Sequence, residues 1–112
     1  MRMIINKLDI KNLEGRFIIM LDPKDEGFDI RESENPEFWL EKRIKFISSV
    51  YNPSKNEDVK IILAGFYGTT QQFNEDEFVE HFNKPYNGER FHRLLTNKEL
   101  DWLVKIMKER NY

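Results

Sequence analysis

A chain of 112 residues and 13.6 kDa has room for one hydrophobic core, so residues 1–112 are expected to form a single domain. Apolar residues make up 39% and charged residues 34%, which is apolar enough to leave the disordered class. With no cysteine, disulfide staples, thiolate metal sites and cysteine nucleophiles are excluded together. The longest apolar runs, Phe17 to Leu21 and Ile61 to Phe66, fall far short of the ~20 residues of a membrane span. No signal-peptide core follows Met1, so the expected compartment is the cytoplasm and no membrane is implied. A single alanine, Ala64, among many Lys, Asn, Ile and Phe matches the codon bias of an AT-rich genome, bacterial or phage.

Net charge is -2, but it is unevenly spread. Residues 22–41 hold eight acids against Lys24 and Arg31, whereas residues 81–112 hold seven bases against four acids. Segregation of this kind creates local potentials that steer charged partners.

Taken in chain order, residues 2–10 place Ile4, Leu8 and Ile10 on one side, and residues 16–22 are strongly apolar. Both are expected to be strands, joined through Gly15 as a hairpin. The Phe17 to Leu21 run is apolar at every position, which predicts a strand covered on both faces. Phe28-Asp29-Ile30 is a candidate short strand. Asn35 as N-cap and Pro36 at the first helical position then open a helix. Its stripe of Leu40, Ile44, Ile47 and Tyr51 is expected to run to a stop at Asn52-Pro53. Val59 to Tyr67 is the third expected strand, and Gly68 supplies a turn after it.

Two further helices have strong starts. Asn74 caps the first, with Glu77 three residues on and Phe73 placed to pack on Phe78; Lys84-Pro85 closes it. Thr96 and Glu99 form a capping box for the second, with Leu95 placed against Leu100. A short strand over 90–94 fits between them. The order is ββαβαα, and irregular alternation favours an α+β domain: a small, single-layer, mostly antiparallel sheet packed by three helices.

Several constellations carry recognisable chemistry. Glu77, His81 and His92 have metal-ligand chemistry, but helical periodicity turns Glu77 and His81 toward water, so no metal or other cofactor is expected. The loop from Asp22 to Gly27 resembles a calcium loop only until Lys24 and Ser33 fall where oxygen ligands are required. Gly65 to Thr70 contains two glycines and two hydroxyls after a strand, yet lacks the Gly-Lys-Thr end of a phosphate loop. No serine lies in a nucleophile elbow and no recessed carboxylate pair is legible, which favours a binding protein over an enzyme.

Two surfaces remain. Asp25, Glu26, Asp29 and Glu32 surround Phe28 and Trp39, an acidic and aromatic combination suited to a protein partner with a basic patch. The first expectation is therefore a small inhibitor, immunity or regulatory module that works by protein–protein interaction. Arg90, His92 and Arg93 form the densest cationic cluster, suited to a phosphate ligand or a nucleic acid. This is the alternative expectation, and an isoelectric point near 5.7 weighs against nucleic acid.

Overall fold

The computed structural model describes residues 2–50 and 60–110. Five antiparallel strands form one sheet: β1 (Phe17–Leu21), β2 (Ile44–Val50), β3 (Lys60–Ala64), β4 (Thr70–Phe73) and β5 (Phe91–Leu94). Their spatial order is β4-β3-β2-β1-β5. The helices are α1 (Ile10–Leu13), α2 (Pro36–Lys42), α3 (Glu75–Asn83) and α4 (Asn97–Glu109). The α+β class with an antiparallel sheet is therefore present. Among the described residues, no helix is long and apolar enough to cross a membrane.

Strand periodicity divides the core in two. Ile18, Ile47, Ile61 and Leu63 face one way and pack with Ile10 and Leu13 of α1 and Phe78 and Phe82 of α3. Ile19, Leu21 and Ile44 face the other way and pack with Ile30, Leu40 of α2 and Leu103 of α4. This explains the run from Ile18 to Leu21, where every residue is buried: β1 is covered on both faces. Burying a side chain such as Phe78 contributes roughly 1.5–3 kcal/mol.

The N-terminal strand and its hairpin are not formed. Asn6 Oδ1 accepts from Leu8 N at 2.9 Å and Asp9 Oδ2 accepts from Asn6 N at 2.8 Å, a capping box that starts a 3-10 turn running into α1. Ile4 and Leu8, expected on an inner face, are 74% and 80% exposed. Ile5 is buried instead, and its backbone is bonded both ways to the Asn83 side chain at 2.8 Å.

The helix opened by Asn35 and Pro36 forms but stops at Lys42, and the residues from Ile44 become β2. Leu40, Ile44 and Ile47 satisfy a helical stripe and a strand pattern at once. The β-branched Ile44-Lys45-Phe46-Ile47 segment takes the extended form, pairing with both β1 and β3. Tyr51, Asn52 and Pro53 lie outside the described residues. Phe28-Asp29-Ile30 is not a strand: Asp29 caps a 3-10 turn over Ile30–Glu32. β4 was not expected, because Thr70-Gln71-Gln72 is a polar edge with no apolar alternation.

The caps at Asn74 and Thr96 form, the latter as a full capping box. Phe73 and Phe78 meet at 6.3 Å between ring centroids. Between α3 and β5, Tyr86 and Asn87 both hold left-handed backbone, with φ of 52° and 63°. For a bulky residue such as Tyr86 this costs roughly 1–2 kcal/mol.

Candidate anion-binding site

Cross-strand register places Met20, Lys45, Leu63, Gln71 and His92 on one sheet face, the face that α3 packs against further along. There a cavity of about 330 Å³ lies between that face, His81 of α3, Tyr86, and Thr69 and Thr70 of the β3–β4 turn. Lys42 and Arg43, at the junction of α2 and β2, complete it. The size is near the lower end of small-molecule sites, ~300–1,000 Å³.

The lining is one-sided in charge. Lys42, Arg43 and Lys45 border the cavity together with two histidines, and none of the described lining residues is acidic. Two of these cations meet carboxylates outside the lining, Lys42 with Glu41 at 3.6 Å and Arg43 with Asp22 at 3.4 Å. Burial, and then the charge of Lys42, hold the Lys45 ammonium below its usual pKa. Its Nζ donates to Thr69 Oγ1 at 2.9 Å.

Arg43 is only 8% exposed. Its Nη2 reaches Asp22 Oδ2 at 3.4 Å, a long contact, while Asp22 Oδ1 accepts from Arg90 Nε at 2.9 Å. Its Nη1 is buried with no hydrogen-bond partner. An unpaired donor on a buried cation is costly and rare. Gly65 matters nearby: a Cβ there would fall 2.2 Å from Thr69 Oγ1 and 3.0 Å from Lys45 Nζ, so only glycine leaves both groups where they are.

Both histidines are biased toward the neutral form. His92 is 3% exposed, and its Nδ1 lies 3.1 Å from the Phe82 carbonyl, so Nδ1 carries the hydrogen and donates. Burial pushes its pKa down to about 4; the Phe82 bond opposes this and nearby His81 adds to it. His81 is half-buried, stacks on Phe73 at 4.7 Å and sits 5.3 Å from His92. Burial and the Lys45 charge lower its pKa too. This corrects the expectation that His81 points to water, although Glu77 is exposed. Among the described residues, no three His, Asp or Glu side chains converge as a metal set.

A pH dependence follows. The unfolded chain takes up a proton on His92 near pH 6.5, whereas the folded chain resists until about 4, so stability falls as pH drops through that window. The expected loss is about 3 kcal/mol, from roughly 1.4 kcal/mol for each unit of pKa shift. Urea denaturation at stepped pH should show this slope, and a His92→Gln variant should show a clearly shallower one. Equal slopes would mean that His92 does not carry the effect.

Of the cationic cluster expected from sequence, only His92 borders the cavity. Arg90 pairs with Asp22 and lies 4.7 Å over the Tyr86 ring. Arg93 projects from the opposite sheet face, where Nη1 donates to Glu99 Oε1 at 2.6 Å and Nη2 to the Phe28 carbonyl at 2.8 Å. The three do not share a surface. The basic residues that do are Lys42, Arg43 and Lys45. Their visible signal was three cations within four residues.

On the acidic side, Phe28 stacks on Trp39 at 4.9 Å, both half-buried against the core. Glu26 pairs with Arg2 at 3.4 Å and Asp29 with Arg31 at 2.7 Å. The Arg31 guanidinium and amide hold the Asp29 carboxyl below its usual pKa. Asp25 is half-buried and Glu32 exposed. Comparison with protein-family models, with curated proteins and with solved structures finds no match to this chain.

Proposed function

We propose that the protein binds a phosphate-type anion in the cavity bordered by Arg43, Lys45 and Lys42. The observation that carries this reading is the lining itself, Lys42, Arg43 and Lys45 around one recess with no acidic lining residue among those described. A guanidinium answers a multi-oxygen anion better than it answers a single neutral acceptor, because two of its N–H groups can bind side by side. Thr69, Thr70 and Gln71 add neutral donors at the same cavity.

A protein partner docking on Asp25, Glu26, Asp29, Glu32, Phe28 and Trp39 has less support. Glu26 and Asp29 already meet cations of the same chain, and Phe28 and Trp39 spend much of their surface on each other.

Isothermal titration with inorganic phosphate at low ionic strength tests the proposal. One saturable site per chain, weakening as potassium chloride rises, is the expected result. Affinity no tighter than about 1 mM, near -4 kcal/mol, would remove the proposal.

A further inference from the structure

The cavity does not end at its cations. Tyr86 and His81 also border a shallower groove along α3, whose other lining residues are Phe73, Glu77, Glu80, Lys84 and Asn87. Charge therefore changes along the path: three cations and no acid in the cavity, then two carboxylates against one ammonium in the groove. A ligand that follows this path has its negative charge at one end. Its other end is uncharged and offers hydrogen-bond donors to Glu77 and Glu80, while a second anionic group in the groove would be repelled.

Tyr86 stands where the two spaces meet. Its ring is 59% exposed, so burial does not repay its left-handed backbone. Asn or Gly would occupy that conformation at less cost. Arg90 lies against the ring at 4.7 Å and leaves it at the mouth of the cavity as an aromatic surface. A strained, exposed aromatic residue beside an anion cavity is a stacking platform, and flat nitrogenous rings stack on such platforms.

We infer that the occupant is a nucleoside monophosphate, either free or as the 5′ end of an oligonucleotide, with its phosphate at Arg43 and Lys45 and its base stacked on Tyr86. This rests on the phosphate reading above and adds the class of compound that carries the phosphate.

Titration of the full chain with adenosine 5′-monophosphate, ribose 5-phosphate, inorganic phosphate and adenosine separates the contributions. The nucleotide is expected to bind about tenfold more tightly than ribose 5-phosphate, from one base stacked on one aromatic ring. Adenosine alone should bind far more weakly. In Tyr86→Leu the gap between nucleotide and sugar phosphate should close. Equal affinity of nucleotide and ribose 5-phosphate for the unaltered protein would overturn the inference and leave the phosphate reading standing. Failure of inorganic phosphate and of both phosphate esters would overturn both. A 5′-phosphorylated tetranucleotide tighter than the mononucleotide, with its unphosphorylated counterpart weak, would assign the site to a nucleic-acid end; the reverse order would assign it to the free nucleotide.

Discussion

Replacing Glu99 with alanine is expected to cost about 3–5 kcal/mol of stability, the range for breaking a buried ion pair from one side. Glu99 is fully buried, and it is where three parts of the fold meet. Its carboxylate accepts from Arg93 Nη1 and Nη2 at 2.6 and 3.0 Å, from Ile30 N at 3.0 Å and from Thr96 N at 2.9 Å. It thus ties β5, the 3-10 turn at Ile30 and the start of α4 to one side chain. Truncation leaves the Arg93 guanidinium, itself 8% exposed, charged and without its counter-ion. Two amides lose their acceptor as well. A double variant, Arg93→Met with Glu99→Leu, removes both charges and should recover much of the loss. Urea denaturation followed by fluorescence of the two tryptophans measures all three proteins. A loss below about 1 kcal/mol for Glu99→Ala would show the pair to be marginal.

Acid should act on the same joint. Burial alone would raise the Glu99 pKa, but the bonds from Arg93, Thr96 and Ile30 outweigh it and the net shift is downward. A carboxylate with a depressed folded pKa stabilises above its unfolded value of about 4.5, and this stability is lost as pH falls through the folded value. That loss sets in below about 4.5, where falling pH has already begun to weaken the fold through His92.

Arg43→Met should have effects of opposite sign on binding and on stability. Phosphate binding is expected to fall at least a hundredfold, since a charge-assisted bidentate contact is worth roughly 3 kcal/mol or more. In phosphate-free buffer the variant should be at least as stable as the parent, by up to about 1–2 kcal/mol. A buried cation with an unpaired donor is replaced by an apolar chain of similar length, and Asp22 keeps its shorter contact to Arg90. Thermal denaturation with and without phosphate separates the two effects, because a ligand at a hundred times its Kd adds about 2.7 kcal/mol to the folded state only. The parent should shift and the variant should not. If Arg43→Met instead loses stability without phosphate, the guanidinium is a structural prop for Asp22 and the Phe38 ring beneath it, and the cavity loses its main claim.

Local chemistry that one segment carries by itself was legible from the residues. Asn35 with Pro36, Asn74, and Thr96 with Glu99 each satisfy backbone donors within three residues, so those helix starts needed no partner to be read. The doubly covered β1 was legible for a similar reason, because continuous apolarity admits few other environments. Where the deciding interaction is distant, sequence spacing misleads. Ile44 and Ile47 fit a helix or a strand equally well, and pairing with β1 and β3 decides between them. The box at Asn6 and Asp9 uses Asp where Glu is usual, so the alternating Ile and Leu around it suggested a strand. The site was obscured by the same error, since a helix that turns Leu40, Ile44 and Ile47 inward sends Lys42 and Lys45 outward, whereas a strand puts Lys45 on the same face as Ile47. Glu99 was recognised as a cap, but its second role as counter-ion to Arg93 depends on how β5 folds back on α4.

The strand order has a consequence for how the chain assembles. β1 to β4 are neighbours in sequence as well as in space, so this meander pairs each strand with the one that follows it, Ile19 with Ile44 and Ile47 with Leu63. β5 is different: it must return to β1, pairing Leu94 with Ile18 across most of the chain. Long closures are the slow ones, which makes docking of β5 the late event in folding and its release an early route of opening. His92 sits on that last strand, while Lys45 belongs to the meander. An occupant of the cavity would touch both, latching the returning strand to the meander and closing the route by which the sheet comes apart.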